Sequence, residues 1–236
     1  MDAAGYTTLT RQSGLMREMQ VVANNIANMS TTGFRREGVI FEEFVVPLEN
    51  GPSLSMSNGN ARTIDLSQGG ITRTDGKLDL AIQGDGFFQI QTPDGPRLTR
   101  AGSFTTSATD ELVTFDGYRV LDAGGAPISL QRSEGTIRVA SDGTMSNAEG
   151  PIAKLGLWEP TDPLTLKHEA GTMFSANGVQ PIENGLIRQG FLEDSNVNPI
   201  KEVARMVEVQ RAYELGQSFV EQEDKRMRSV IETLGR

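Results

Sequence analysis

Nucleophilic catalysis of the serine or cysteine type needs a base held against the nucleophile. The sequence offers one histidine, His168, and no cysteine. His168 sits in the polar run Thr165-Leu166-Lys167-His168-Glu169, which reads as a surface loop. Carboxylate chemistry needs two acids facing each other across a cleft. Glu42-Glu43 and Asp110-Glu111 are merely chain neighbours in an acidic protein and read as solvated charge. Gly84-Asp85-Gly86-Phe87-Phe88 has two glycines of a phosphate-cradling loop. It lacks the third glycine of a dinucleotide fingerprint and the Gly-Lys-Ser/Thr of a P-loop. It also runs into a strand pattern, whereas an anion loop of that kind feeds a helix N-terminus, so a turn is expected. Asp142-Gly143-Thr144-Met145-Ser146 has a fragment of a calcium loop without the glutamate that closes one. Asn28-Met29-Ser30 fits a glycosylation sequon, a pattern short enough to arise by chance. No catalytic residue, metal site or cofactor is expected.

What remains is amide chemistry. Asn24, Asn25 and Asn28 fall within five positions, and Ser195, Asn196 and Asn198 form a second cluster near the other end. An asparagine side chain donates and accepts at once. The plain use of such a cluster is to cap a fraying helix end. The other use is to cross-link chains, or to fix the register of a helical seam at some cost in stability.

The elements that carry these clusters are long helices. The first is predicted over about Tyr6 to Met29, with Leu15, Met19, Val22, Ile26 and Met29 alternating at four and three, and Met16 and Ala23 widening the stripe. Thr31-Thr32-Gly33 supplies the stop. The second is predicted over about Val197 to Leu234. Val203, Met206, Gln210, Tyr213, Gln217, Val220, Asp224, Met227, Ile231 and Leu234 keep the same rhythm. Asn198-Pro199 is a suitable start, with Asn as cap and Pro in the first turn. So thin a stripe does not hold a helix of this length alone; it needs a partner.

Between the helices the pattern is β. Residues 50–62 are rich in Gly, Ser and Asn and read as an extended or mobile linker. From about Ile71 to Arg188, short strands alternate with turn residues. Leu112-Val113-Thr114-Phe115 and Tyr118-Arg119-Val120-Leu121 flank Asp116-Gly117, a two-residue hairpin signal, and Asp142-Gly143 is flanked in the same way. Trp158 ends a further strand pattern. The predicted fold class is α+β: a mainly β central domain, with N- and C-terminal helices pairing as a coiled-coil-like bundle. The expected boundaries are 1–35 for the first helix, 36–70 for the extended linker, 71–190 for the β domain and 191–236 for the last helix.

A net charge of −9 argues against a nucleic-acid partner, which would require a basic surface. Arg35-Arg36 and the Lys225-Arg226/Arg228 group have acids beside them and read as solvated helix or loop. Met1-Asp2-Ala3-Ala4 has neither a basic leader nor an apolar core, and no run is long enough for a membrane span. Pairing two thin seams leaves apolar helix surface exposed, which points to self-association or to assembly with a related chain.

The stretch "ANNIANMSTTGFRREGVIFEEF" (Ala23 to Phe44) is similar to the N-terminal signature of the flagellar axial family of rod and hook proteins. "QGFLEDSNVNPIKEVARMVEVQRAYE" (Gln189 to Glu214) resembles its C-terminal signature, and "LDLAIQGDGFFQI", "LTRAGSFTTSATDELVTFDGYRVL" and "IRVASDGTMS" resemble its β domain. The start "MDAAGYTTLTRQSG" and the length are most like those of the proximal rod subunits, with the longer distal ones as neighbours. The resemblance implies a non-enzymatic structural subunit of the flagellar rod, in the periplasmic part of the basal body. It implies export through the flagellar type III apparatus without a cleaved signal peptide, and assembly with itself and other rod subunits.

It also implies which residues join subunits. On the N-terminal side they are Leu15, Met19, Val22, Asn24, Asn25, Ile26, Asn28, Thr31, Gly33 and Phe34. On the C-terminal side they are Ser195, Asn196, Val197, Asn198, Val203, Met206, Val207, Gln210, Arg211, Tyr213, Glu214, Val220, Met227 and Ile231. On this basis Asn25 and Asn28 act between chains, and their loss is expected to leave the monomer's helicity unchanged. The stretch from Gly38 to Gly69 is expected to bridge to adjacent chains. A hydrolytic or carbohydrate-binding β domain with helical anchors, and an export chaperone or cap protein, are the alternatives.

Overall fold

A computed structural model describes residues 3–48, 51–130, 137–183 and 185–234, with side chains over 8–41, 62–130, 137–183 and 185–233. The chain divides into two compact units: Met1–Ala27, Glu37–Thr63 and Asn198–Arg236 form one, Asn28–Arg36 and Ile64–Val197 the other.

The first unit holds helix α1 (Ala3–Ala27), strands β1 (Glu37–Leu48) and β2 (Gly51–Ile64), and helix α2 (Pro199–Leu234). α2 begins as expected: Asn198 Oδ1 accepts the Lys201 N–H at 3.1 Å, and Pro199 occupies the first turn. At 36 residues it is about 54 Å long. α1 runs antiparallel to it, since Asn25 meets Glu202, Glu18 meets Arg205 and Gln12 lies against Gly216. The span expected as an extended linker forms β1 and β2, which pair as a two-stranded ribbon. Asn50 and the side chains of Glu42 and Glu43 lie outside the described residues.

The seam between the helices keeps the three-four rhythm but is turned from the predicted one. On α1 it runs Leu15, Glu18, Val22, Asn25; on α2 it runs Glu202, Met206, Val209, Tyr213, Gly216, Val220, Glu223. Met206, Tyr213 and Val220 lie in both versions, whereas Val203, Gln210 and Gln217 face solvent. Apolar periodicity alone passes over Glu202, Gly216 and Glu18. Two of these are carboxylates with bonded partners and the third is a glycine, so none registers as apolar. Met16 and Ala23 do not widen the buried stripe; both are exposed. α1 stops at Ala27, and the exposed Met29 lies beyond it.

The second unit is antiparallel β structure. Its strands are β3 (Ile71–Arg73), β4 (Leu80–Gln83), β5 (Phe88–Thr92), β6 (Gly95–Thr99), β7 (Phe104–Thr106), β8 (Leu112–Thr114), β9 (Arg119–Val120), β10 (Arg138–Val139), β11 (Thr144–Asn147), β12 (Gly150–Lys154), β13 (Trp158–Pro160), β14 (Lys167–His168), β15 (Met173–Ser175), β16 (Val179–Pro181), β17 (Leu186–Gln189) and β18 (Phe191–Glu193). Among the described residues seven strands form one sheet in the order β14-β15-β6-β5-β9-β8-β7. A three-stranded sheet, β10-β11-β12, and the pairs β13-β16, β17-β4 and β18-β3 make up the rest of the unit's named strands.

Both Asp-Gly hairpins form, with three-residue turns in place of the predicted two. The Gly117 N–H bonds Thr114 O while the Thr114 N–H bonds Tyr118 O, and Gly143 with Ala140 and Thr144 repeats the pattern. Gly117 and Gly143 take φ of 86° and 85°, the left-handed position that closes such a turn. Phe87 and Phe88 face opposite ways, as neighbours at a strand must. Phe88 joins Leu80, Ile90 and Phe104 in the larger core, and Phe87 joins Leu98, Leu166 and Phe174 in a smaller one.

Candidate assembly interface

In the first unit the Asn25 side chain is fully buried and mimics a peptide group. Its Oδ1 accepts the Glu37 N–H at 2.9 Å, and its Nδ2 donates to Glu37 O at 2.9 Å and to Glu202 Oε2 at 3.1 Å. Only a side chain with donor and acceptor on one short stem satisfies all three groups. Aspartate lacks the donor and leucine lacks both. Two turns away along α1 the buried Glu18 carboxylate receives the Arg205 guanidinium at 2.6 Å. That bond raises the Arg205 pKa against the lowering effect of burial.

In the second unit Asn196 does the same work. Its Oδ1 accepts the Arg36 N–H at 2.7 Å, and its Nδ2 donates to Asp65 O at 3.0 Å and Ser67 O at 2.8 Å. Beside it lies a buried ionic cluster that the sequence reading missed. Glu193 Oε1 takes Arg35 Nη2 and the Gly69 N–H, each at 3.0 Å, and Glu193 Oε2 takes Arg100 Nη1 at 3.0 Å. Arg100 Nη2 also donates to Gly84 O at 2.6 Å, and Arg35 Nη1 to Ser67 O. Burial lowers the Arg100 pKa to about 10; the Glu193 charge opposes that shift and the Arg35 charge adds to it. Arg35 is therefore not solvated, contrary to expectation: it is 1% exposed. Charge counting gave no warning, because nothing local marks Glu193 as its partner.

Gly33 anchors the same region. Its N–H bonds Glu193 O at 2.8 Å and its φ is 72°. A β-carbon there would stand 2.3 Å from Ala101 N, so the position needs glycine on two counts. Asn28 closes the turn before it, accepting the Thr31 hydroxyl at 3.1 Å.

His168, Asp142, Gly84, Gly86 and Glu111 sit in local structural contacts. His168 lies in β14, not on a surface loop; its ring packs edge-on against Phe34 and Phe174, and Nε2 lies 2.7 Å from Gly171 O. Asp142 accepts the Thr144 N–H and hydroxyl within its turn. Gly84 and Gly86, at φ of 94° and 105°, form a turn. Glu111 pairs with Arg119 at 3.0 Å. Among the described residues no group of three acids or histidines is placed to hold a metal. Among the described residues no helix is long and apolar enough to cross a membrane.

Three family profiles match this chain. "Flagella basal body rod protein" covers residues 6–35, "Flagellar hook protein FlgE/F/G D1 domain" covers 81–147, and "Flagellar basal body rod FlgEFG protein C-terminal" covers 188–233. FlgF of Caulobacter vibrioides, a flagellar basal-body rod protein, is 38% identical over 245 residues, covering 100% of this chain and 99% of its own. FlgF of Rhizobium meliloti is 36% identical over 239 residues, with the same coverage. FlgG of Bacillus subtilis is 32% identical over 255 residues, covering 96% of this chain and 97% of its own. The chain belongs to the flagellar basal-body rod protein family. Its likeness to FlgF exceeds that to FlgG, and it is a structural subunit of the rod in the flagellar basal body.

Within this rod subunit the signature residues divide by exposure. Leu15, Val22, Asn25, Gly33, Phe34 and Val197 are buried in the chain itself. Met19, Asn24, Ile26, Asn28, Thr31, Ser195, Asn196, Met206, Tyr213 and Val220 are half-buried. Asn198, Val203, Val207, Gln210, Arg211, Glu214, Met227 and Ile231 are exposed. Only the last two groups expose atoms beyond the chain itself. The buried ones act by holding their own unit in shape.

Proposed function

We propose that this chain is a non-enzymatic subunit of the proximal rod that joins copies of itself and related rod subunits through the outward faces of α1 and α2. The observation that carries this is a second apolar stripe on each helix. On α1, Leu9, Met16 and Ala23 recur every seven residues on the face opposite the Leu15–Asn25 seam, and all three are exposed. On α2, Ile200, Val203 and Val207 are exposed on the side away from Glu202 and Val209. A helix with two apolar faces satisfies only one of them within a helical pair, and an exposed stripe of this kind marks an interaction surface.

In the assembled rod these outer stripes pack against those of neighbouring subunits, and the β1–β2 ribbon bridges to adjacent chains. The subunit stands in the periplasmic shaft, which it reaches through the flagellar type III export apparatus without a cleaved signal peptide. The family resemblance supports this placement.

The test is to substitute the outer stripes. Met16→Asp and Val203→Asp are expected to leave the thermal unfolding of the purified monomer unchanged while preventing incorporation into basal bodies and abolishing swimming. Motile cells with either variant incorporated at normal levels would refute the proposal.

A further inference from the structure

The second unit presents Phe115 to solvent more than any other described phenylalanine, at 76%. It heads the three-residue turn between β8 and β9, and that turn is pinned. The Gly117 N–H bonds Thr114 O at 2.9 Å, and the Tyr118 N–H bonds Thr114 Oγ1 at 3.1 Å. Asp116, also exposed, adds a carboxylate beside the ring. An aromatic ring on a rigid turn loses little freedom when it docks.

The same unit carries a groove of about 630 Å³ with complementary properties. Half-buried Ile137 and Val139 give it an apolar lining, and exposed Lys77 and Arg138 give it positive charge. Gly76 and Gly190 contribute no side chain to fill it. The acid in its lining, Asp75, is already paired with Arg73 at 2.7 Å. Phe115 borders a different cleft, with Thr31, Thr99 and Met173, and shares no lining residue with the groove.

We infer that the Phe115-Asp116 tip of one copy seats in the Lys77/Arg138 groove of a second copy. The ring covers Ile137 and Val139, and the carboxylate meets the two cations. Charge complementarity selects this occupant, since the tip joins an apolar ring to an anion and the groove joins an apolar lining to cations. Tip and groove lie at different places on the unit, so repeated head to tail the contact is heterologous and extends into a ring or an open filament. The inference rests on the self-assembly proposed above and adds a second contact to it.

The experiment replaces Phe115 with the photoreactive residue p-benzoylphenylalanine in the full-length chain, which keeps an aromatic at the tip. The purified protein is assembled alone, illuminated, and the adducts are mapped by mass spectrometry, with sedimentation reporting assembly itself. Adducts on peptides containing Lys77 or Ile137–Val139 of a second chain are expected. Asp116→Lys is expected to lower their yield about tenfold, in the range of a central interface contact, and adding Lys77→Glu with Arg138→Glu is expected to restore it. Sedimenting assemblies without these adducts overturn the groove contact and leave the helical reading standing. Neither assemblies nor adducts overturns both.

Discussion

The Asn25 amide donates to Glu202 Oε2 across 3.1 Å, tying the last turns of α1 to the first turn of α2 through residues 177 positions apart. The same amide brackets the backbone of Glu37, so one side chain holds a helix, a strand and a second helix together. Asn25 is thereby assigned to folding of the subunit before it is available to any neighbour.

Asn25→Ala removes all three bonds, to the Glu37 N–H, the Glu37 carbonyl and Glu202 Oε2. Each hydrogen bond lost costs about 0.5–1.5 kcal/mol. The helical unit is expected to lose about 3 kcal/mol, seen as a lower urea midpoint in far-ultraviolet circular dichroism. Asn25→Gln should not rescue it, because the longer stem displaces the amide. An unchanged midpoint would return Asn25 to the role between subunits that the sequence alone suggested.

Glu193→Gln probes the second unit. It keeps the shape and removes the charge facing Arg35 and Arg100, which are buried with it. Breaking a buried pair from one side costs about 3–5 kcal/mol. The expected result is a large drop in the melting temperature of the Trp158 near-ultraviolet signal, with the helical signal affected less. Equal melting temperatures for the two proteins would show that the cluster contributes no net stability.

The helices, the cap at Asn198, both Asp-Gly hairpins and the β character of the middle were legible because each rests on a local signal: period, capping residue or left-handed glycine. The face of α2 was not fully legible, since Glu202 and Gly216 belong to the seam for reasons of bonding and close approach that periodicity does not register. Residues 50–62 were legible as extended or mobile, without their pairing. Their small polar composition matches a linker, yet β2 forms there because β1 supplies a ladder, and pairing is a non-local fact. Arg35 was hidden for the same reason, its partners Glu193 and Arg100 being remote in sequence.

Acid should act on the second unit through Asp65. Partial burial pushes its carboxyl up, but bonds from Ser67, with Arg36 and Arg35 nearby, outweigh this and hold it below the ordinary 3.8. The unfolded chain therefore binds the proton first. The stability Asp65 contributes is complete above the ordinary value and is lost as pH falls from about 4 through the lower folded value. Asp65→Asn is expected to flatten the stability curve of this unit below pH 4 and leave its shape above pH 5 unaltered. A curve equally steep in the variant would assign the acid response to other carboxylates.

Gly216 separates stability from assembly. A β-carbon there would meet Gln12 Cγ at 3.4 Å, an approach that a small shift of a flexible side chain accommodates. Alanine is favoured over glycine inside a helix by up to about 1 kcal/mol, so Gly216→Ala is expected to raise the urea midpoint of the helical unit. The same methyl group enters a groove of about 410 Å³ bordered by Arg11, Gln12, Leu215 and Phe219, of which Leu215 and Phe219 are exposed apolar residues on α2. If neighbouring rod subunits pack into that groove, the more stable monomer will be incorporated less well and swimming speed will fall. A variant both more stable and fully motile would exclude the groove from the subunit contact and confine it to the outer stripes at Leu9–Ala23 and Ile200–Val207.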